Sequence, residues 1–447
     1  MASTPSVGTT FNFPMKCPQI FSFALAVSFA AKVSAAIIGT NPPAPPLTPE
    51  RIAALPSAQQ PAWKNYLEQS VRQMQADKNF LHAEMRGRSM NESITPPSAK
   101  SAENIPLGKS AGWYAGDDAR RIADIIVSFQ TPAGGWSKNL DMTKHDRAPG
   151  ESFASDSHSR FPGTNDFDLA GDTSWDYVGT FDNDATTTEL RFLAKAAAAE
   201  TNHFAPYRTA FLRGLGYIFA AQFPNGGWPQ VWPLQGDYHD NITFNDDAMI
   251  NVLNLLQDVS AGTNEFSFVP ENIRALAASS LKRGTACVLA TQIVADARRT
   301  VWCQQHDALT LQPASARNYE MPSQASAESA KVMQFLMQQP DPDSNIVAAV
   351  DAAAAWFQKT EMHDVAFKPA NNDGRHLIPA PGGGPLWARY YEIGGDRPIF
   401  GDRDKTIHDN VDEISRERRD GYSWFNDNPK RMLEHYAKWK KNLAKSA

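Results

Sequence analysis

The sequence predicts a mainly α protein: an irregular α/α toroid of paired helices, with long loops and a few short β-strands at its cleft. Two recurrent phrases and one dominant periodicity lead there. Thr180-Phe181-Asp182-Asn183-Asp184-Ala185 returns as Thr243-Phe244-Asn245-Asp246-Asp247-Ala248, and both copies run straight into a helical apolar pattern. Gln130-Thr131-Pro132-Ala133-Gly134-Gly135-Trp136 returns as Gln222-Phe223-Pro224-Asn225-Gly226-Gly227-Trp228. Recurrence on this scale marks one supersecondary unit used several times. From about residue 48 onward apolar residues recur mostly with the helical period, and strand-like alternation is rare and short.

In chain order, residues 1–36 read as a signal peptide. Lys16 precedes the apolar stretch Ile20 to Ala31, and Val33-Ser34-Ala35 is a small-residue cleavage pattern. The apolar run is too short to span a bilayer, so the expected location is secreted or periplasmic, with no membrane association after cleavage. Met15, directly before Lys16, is a second candidate start. Residues 37–48 contain Asn41-Pro42-Pro43-Ala44-Pro45-Pro46 and read as a stiff, solvent-exposed spacer. Residues 49–447 read as one folded domain.

Asp117 and Asp118 open a helix carrying Ile122, Ile125, Ile126 and Phe129 at helical spacing. Thr186 and Glu189 form a capping-box pattern ahead of Leu190, Leu193 and Ala197. Met249, Val252, Leu253 and Leu256 give a buried helical stripe. Further helices are expected over 206–222, 271–292, 325–338, 346–359 and 428–443, the last entered through Asn428-Pro429. Strands are expected over Thr300–Gln304 and Leu386–Glu392, with Trp387, Arg389 and Tyr391 on one face of the second. Residues 143–178 are rich in Asp, Ser, Gly and Thr and read as a long functional or mobile loop.

Composition narrows the function. A formal net charge of −6 over 447 residues leaves no global basic field, which argues against nucleic acid. A polyanionic ligand would have to be held by a local cluster of cations or by a bridging metal. Cys17 leaves with the signal, so Cys287 and Cys303 remain as either one disulfide or two buried thiols.

Asp182, Asn183, Asp184, Asp246 and Asp247 are hard oxygen donors of the kind Ca²⁺ or Mg²⁺ requires. Single Asp and Asn residues at helix mouths are equally well explained as caps; two matching copies weigh toward a metal. Lys138, Arg317, Arg389, Arg397 and Arg403 are the cations suited to gripping carboxylates. Trp136 and Trp228 read as structural. His306 beside Asp307 resembles a catalytic dyad only on paper, since neighbours in sequence need not face each other. No nucleophile elbow, phosphate loop or His-Glu-x-x-His motif occurs.

Taken together, residues 130–141, 180–186 and 224–248 resemble polysaccharide lyase family 10 pectate lyases. So do Val301–Glu320, Ala388–Asp404 and Glu417–Trp424, and the similarity spans roughly 50–442. The resemblance implies an irregular α/α toroid that cleaves α-1,4-linked polygalacturonate by Ca²⁺-assisted β-elimination, acting as a secreted monomer with its catalytic domain over 49–447. It implies Arg403 as the base that abstracts the C5 proton. Lys138, Arg317 and Arg389 would bind substrate carboxylates, and Asp182, Asn183, Asp246 and Asp247 would hold the metal. Three other classes compete. They are an α/α-barrel glycoside hydrolase with two carboxylates, a terpenoid cyclase-type toroid with an Asp-rich Mg²⁺ site, and a non-catalytic carbohydrate-binding protein.

Overall fold

Three helical hairpins, laid side by side, form an arc whose inner helices all open toward one end. The computed structural model describes residues 36–99, 104–155, 166–167, 175–199, 204–370 and 372–446. The expected signal peptide and the middle of the 143–178 loop lie outside these residues. Eleven α-helices occur among the described residues: α1 (Pro49–Ala53), α2 (Gln60–Gly87), α3 (Asp117–Ser128), α4 (Thr187–Ala199), α5 (Phe204–Ala221), α6 (Ala248–Ala261), α7 (Glu271–Ala290), α8 (Ser326–Met337), α9 (Ser344–Thr360), α10 (Arg416–Gly421) and α11 (Asn428–Ser446). Each of α4, α6 and α8 packs on the helix that follows it. The three also touch in succession, α4 on α6 and α6 on α8. They are buried around most of their circumference, as the inner layer of such an arc must be. At the two ends, α3 packs on α4 and α5, and α11 on α8 and α9. This is the irregular α/α toroid expected.

The repeated phrases turn out to be the joints of this arc. The side chain of Gln130 donates to Gly134 O and to Ala210 O of the next outer helix. Gln222 makes the same two bonds to Gly226 O and Ser280 O. Trp136 Nε1 donates to Ile126 O, and Trp228 Nε1 to Ile218 O. Two further copies escaped the sequence reading because no glycine directly precedes their tryptophans, Trp302 and Trp387. Gln292 donates to Thr300 O and Ala349 O, and Trp302 Nε1 to Val288 O. Trp387 Nε1 likewise donates to Phe357 O. Two-residue antiparallel pairs then stitch neighbouring units together at the mouth: 179–180 with 231–232, 242–243 with 305–306, and 324–325 with 390–391.

The glycines are needed where the turn presses on a helix end. Gly226 has φ +98°, and a Cβ there would stand 2.3 Å from Arg283 O. Gly226→Ala is therefore expected to destabilise the fold by about 2–3 kcal/mol in urea unfolding, combining left-handed strain with a clash against backbone. Gly216→Ala, in α5 with nothing within 4 Å of the added carbon, is expected to be neutral or to stabilise by about 0.5–1 kcal/mol.

Several expectations need correction. Residues 300–304 are not a strand; the ordered pairs are 298–299 and 305–306. Leu386–Glu392 is broken at Arg389 into 387–388 and 390–391, because Arg389 N donates to Trp424 O while its carbonyl accepts from Ser326 N. Trp387 and Tyr391 enter the core; Arg389 turns elsewhere. Only half of the capping box forms. Glu189 accepts the Thr186 N–H, but the Thr186 hydroxyl bonds both Trp136 N and Trp136 O, tying the first joint to α4. Cys287 and Cys303 are separate buried thiols. The prolines Pro42, Pro43, Pro45 and Pro46 are exposed as expected, but the segment begins as a strand, Ile37–Thr40, antiparallel to Thr406–His408, and Asn41 is buried.

Burial raises three carboxyl groups that the cleft does not use: Asp77 of α2 to about 7, Asp240 to about 7 and Glu189 to about 8. Their folded-state values lie above the unfolded ones. The stability they contribute is thus complete below about pH 4 and is lost as pH rises through 7–8. Conformational stability is expected to fall between pH 5 and pH 8, together on the order of a few kcal/mol, as read by urea midpoints at the two pH values.

Candidate active site

The two acidic turns, 182–184 and 245–247, are short 3₁₀ turns lying against one another where α4 and α6 begin. Asn183 and Asp184 (φ +52° and +62°) are left-handed, as are Asp246 and Asp247 (φ +49° and +59°). Left-handed non-glycine residues cost roughly 1–3 kcal/mol each and persist where surroundings impose them; Asn and Asp bear the conformation best. The strained turns bring the carboxyl groups of Asp182 and Asp246 within hydrogen-bonding reach. Asp182 is buried and Asp246 faces solvent. Desolvation by its neighbours and the charge of Asp182 push Asp246 well above the ordinary carboxylate range. Burial opposes ionisation of Asp182 too, but Lys138 outweighs it through charge and a 2.6 Å hydrogen bond, so Asp182 is held low. One member of the pair is charged and the other tends to keep its proton.

Cations close around this pair. Arg389 Nη2 donates to Asn245 Oδ1 at 2.8 Å, and the same guanidinium is paired with buried Glu328. Arg317 is clamped by Glu320 through its Nε at 2.8 Å and its backbone N–H at 3.0 Å. Burial works against the charge on Arg317, yet Glu320 keeps its pKa well above the usual arginine value. The charges of both Arg317 and Arg389 act on Asp246, and that of Arg317 also on Asp182. Tyr422 lies under this group: its hydroxyl donates to Glu320 Oε1 at 2.7 Å, and Arg389 stacks 4.7 Å over its ring.

Of the residues named from sequence, Lys138, Asp182, Asp246, Arg317 and Arg389 therefore meet in one place, with Asn183 alongside, donating to Asn139 Oδ1. Asp247 points away from the pair and is bound to Lys331 Nζ at 2.7 Å. Arg403 stands one ring further out. It lies 5.3 Å over Tyr319 and pairs with Glu417 at 3.2 Å, in a stack that also contains Arg317 and Arg418 over the same ring. Arg397 pairs with Glu392 and Asp409. His306 is fully buried, bonded to Cys303 N and Leu311 O, while Asp307 binds Arg51. The paper dyad does not exist.

Sequence reasoning missed Glu320, Glu328, Tyr319, Tyr422 and Arg418, which fix the arginines. It also missed a cavity wall of Trp175 and His239, whose rings lie 4.6 Å apart edge to face beside Lys138 and Asp182. One signal could have found part of this set. Lys138, Gln230, Gln304 and Arg389 each stand two residues after a joint tryptophan, so the repeat itself marks which residues stand at the mouth.

The residues present fit a hard cation in part. Asp182 Oδ1 is buried with no donor facing it, and two close carboxylates that resist joint ionisation are what a divalent ion relieves. Among the described residues no group of three or more His, Cys, Asp or Glu side chains converges as a metal cage. The remaining donors beside the pair are amide oxygens, which suit Ca²⁺.

Comparison with known proteins gives the family and the fold. A family profile described as Pectic acid lyase matches residues 130–433. The structure is similar to that of a family 10 polysaccharide lyase from Cellvibrio cellulosa, with 29% identity and a TM-score of 0.62 over 77% of this chain and 99% of that one. An aspartate-to-alanine mutant of that enzyme class from the same organism, in complex with trigalacturonic acid, is equally similar, at 29% identity and TM-score 0.62 over 76% of this chain and 99% of that one. No curated protein matches the sequence.

Proposed function

The chain belongs to the pectic acid lyase family, and from that membership and its site we propose that it cleaves α-1,4-linked polygalacturonate by Ca²⁺-assisted β-elimination. The observation that carries the proposal is a close carboxylate pair, buried Asp182 and solvent-facing Asp246, ringed by Lys138, Arg317 and Arg389. Asp182 and Asp246, with Asn183 beside them, would hold the calcium ion, whose charge against a uronate carboxylate acidifies the neighbouring C5 proton. Asp247 would join them only after leaving Lys331. Lys138 and Arg389 are placed to grip further carboxylate oxygens of a polyanion.

An arginine then takes the C5 proton, the C5–H electron pair forms the C4–C5 double bond, and the C4–O4 bond breaks. The departing oxygen collects a proton from water, leaving a 4,5-unsaturated end. Arginine is ordinarily always protonated, so this role requires crowding by other cations and a rate that rises toward alkaline pH. The sequence resemblance assigns the base to Arg403. A second reading rests on one observation, that the charge of Arg317 acts on both Asp182 and Asp246; against it, Glu320 holds the Arg317 proton more firmly than in an ordinary arginine. C5 is one bond from the carboxylate that the ion would bind, so the base has to stand beside the acid pair. On this reading Arg403, over Tyr319, holds a neighbouring uronate.

A hydrolase is a poorer fit. Its two carboxyl groups stand about 5–9.5 Å apart to flank a sugar bond, whereas Asp182 and Asp246 lie close enough to govern one another's ionisation and are surrounded by cations rather than set across a cleft. The test is polygalacturonate with Ca²⁺, followed by ultraviolet absorbance. Absorbing unsaturated ends that vanish with EDTA support the proposal; new reducing ends without absorbance would mean hydrolysis. The same proposal has the enzyme exported and monomeric, which fractionation and light scattering would check. Among the described residues no helix is long and apolar enough to cross a membrane.

A further inference from the structure

The segment 37–48 lies far from the acidic turns in sequence, yet it touches both loops that carry the arginines. Asn41 is 3% exposed. Its side-chain amide donates to two successive carbonyls, Arg317 O at 3.1 Å and Asn318 O at 2.9 Å. Its backbone N–H donates to Lys405 O at 2.8 Å. Asn318 then reaches across with its own amide to Arg403 O at 2.8 Å. Residues Ile37, Gly39 and Thr40 pair with His408, Ile407 and Thr406, just beyond Arg403. Further along, Ser315 Oγ donates to Pro42 O at 2.5 Å, and Arg51 bonds Pro45 O, Pro46 O and Asp307.

We propose that residues 37–48 are a clasp that positions the arginine pair, with Asn41 as its positioning residue. The inference rests on the reading that Arg317 and Arg403 act on the substrate. Three physical points support it. Neither arginine sits in a helix or strand, so no repeating hydrogen-bond ladder sets the height of its Cα above the acid pair. Two consecutive carbonyls bonded to one amide fix the two peptide groups on either side of Asn318 relative to each other, which a single bond would leave free to rotate. The prolines between Asn41 and Leu47 hold the segment extended, so Asn41 stays docked at little cost in chain entropy. The hydrogen bonds of Asn41 all go to backbone carbonyls of the arginine loops, so its influence passes through that backbone.

Displacements of about 1 Å at catalytic groups cost on the order of 100-fold in rate. Asn41→Ala in the full chain is therefore expected to lower kcat by about 10- to 100-fold, with KM changed much less, and with near-ultraviolet circular dichroism and the urea midpoint close to wild type. Asn41→Asp, which keeps the shape but sets a carboxylate against two carbonyls, is expected to be at least as impaired. Rates are taken per folded molecule, from the dichroism signal. Wild-type kcat in both variants, or a loss that follows the folded fraction alone, would overturn the clasp. Arg317→Ala and Arg403→Ala serve as the reference. If both keep full activity, the reading of the arginines has failed; if either loses activity while Asn41→Ala does not, only the clasp has failed.

Discussion

Arg317→Lys is expected to lower kcat by about 10²–10⁴-fold, the range over which a positioned base or charge stabiliser contributes. Lysine keeps a positive charge for Glu320 but loses the two-pronged grip that the guanidinium makes through its Nε and Nη2. The conservative change matters, because Arg317→Ala would leave Glu320 buried without its partner, a loss of about 3–5 kcal/mol in such settings. Circular dichroism of the lysine variant should match wild type. Arg403→Lys is the counterpart. Its pair with Glu417 is half exposed, so the substitution should leave stability within about 0.5 kcal/mol. If Arg317 is the base, Arg403→Lys should raise KM more than it lowers kcat. If Arg403 is the base, the pattern inverts, with kcat falling in Arg403→Lys and KM rising in Arg317→Lys. The two results are mutually exclusive, and a full kcat in both variants would remove arginine from the chemistry.

Removal of the metal should have an effect as large. Treatment with EDTA is expected to abolish turnover, with recovery on adding Ca²⁺. The sharper measurement needs no turnover. In wild type, Ca²⁺ should raise the thermal midpoint, since a ligand bound only by the folded state stabilises it in proportion to ln(1 + [L]/Kd). Asp246→Asn keeps the size of the side chain and removes the charge that opposes Asp182. Without metal, at pH 8, this variant should be as stable as wild type or more so, by about 1–2 kcal/mol, the usual trade between a strained site and stability. Its midpoint should no longer respond to Ca²⁺. A variant that still gains stability from Ca²⁺ and still turns over would show that the ion binds elsewhere. Asp247→Asn offers a control. Its carboxylate is committed to Lys331, so if it remains there the Ca²⁺ response should survive.

Much of this fold can be read from its sequence, and the reason is its period. Met249, Val252, Leu253 and Leu256 repeat every three to four residues because α6 is apolar on every buried side, and nothing else in the chain has to be known to see it. The two Gly-Gly-Trp joints were visible because a Cβ at Gly134 or Gly226 would stand 2.7 or 2.3 Å from a backbone oxygen, which leaves room for glycine alone. The third and fourth joints, at Trp302 and Trp387, do the same work with different turns. They stayed hidden because what repeats there is a hydrogen bond from an indole to a helix carbonyl, and a hydrogen bond leaves no spelling.

The sequence by itself determined the arc of paired helices and the acidic turns at its mouth, and it named some of the cations around them, since each depends on local periodicity, local turn chemistry or residue type. Only the tertiary structure decided which carboxylates meet. Asp182 and Asp246 face each other while Asp247, next in the chain, turns to Lys331, because successive left-handed residues swing adjacent side chains in different directions. It also decided that Glu320 clamps Arg317, and that Asn41, at the start of a proline-rich stretch whose prolines stay exposed, binds two loops some 270 and 360 residues away. Charge pairs and backbone carbonyls recognise whatever is brought within about 3 Å, and in a chain folded into a ring that distance is unrelated to separation in sequence.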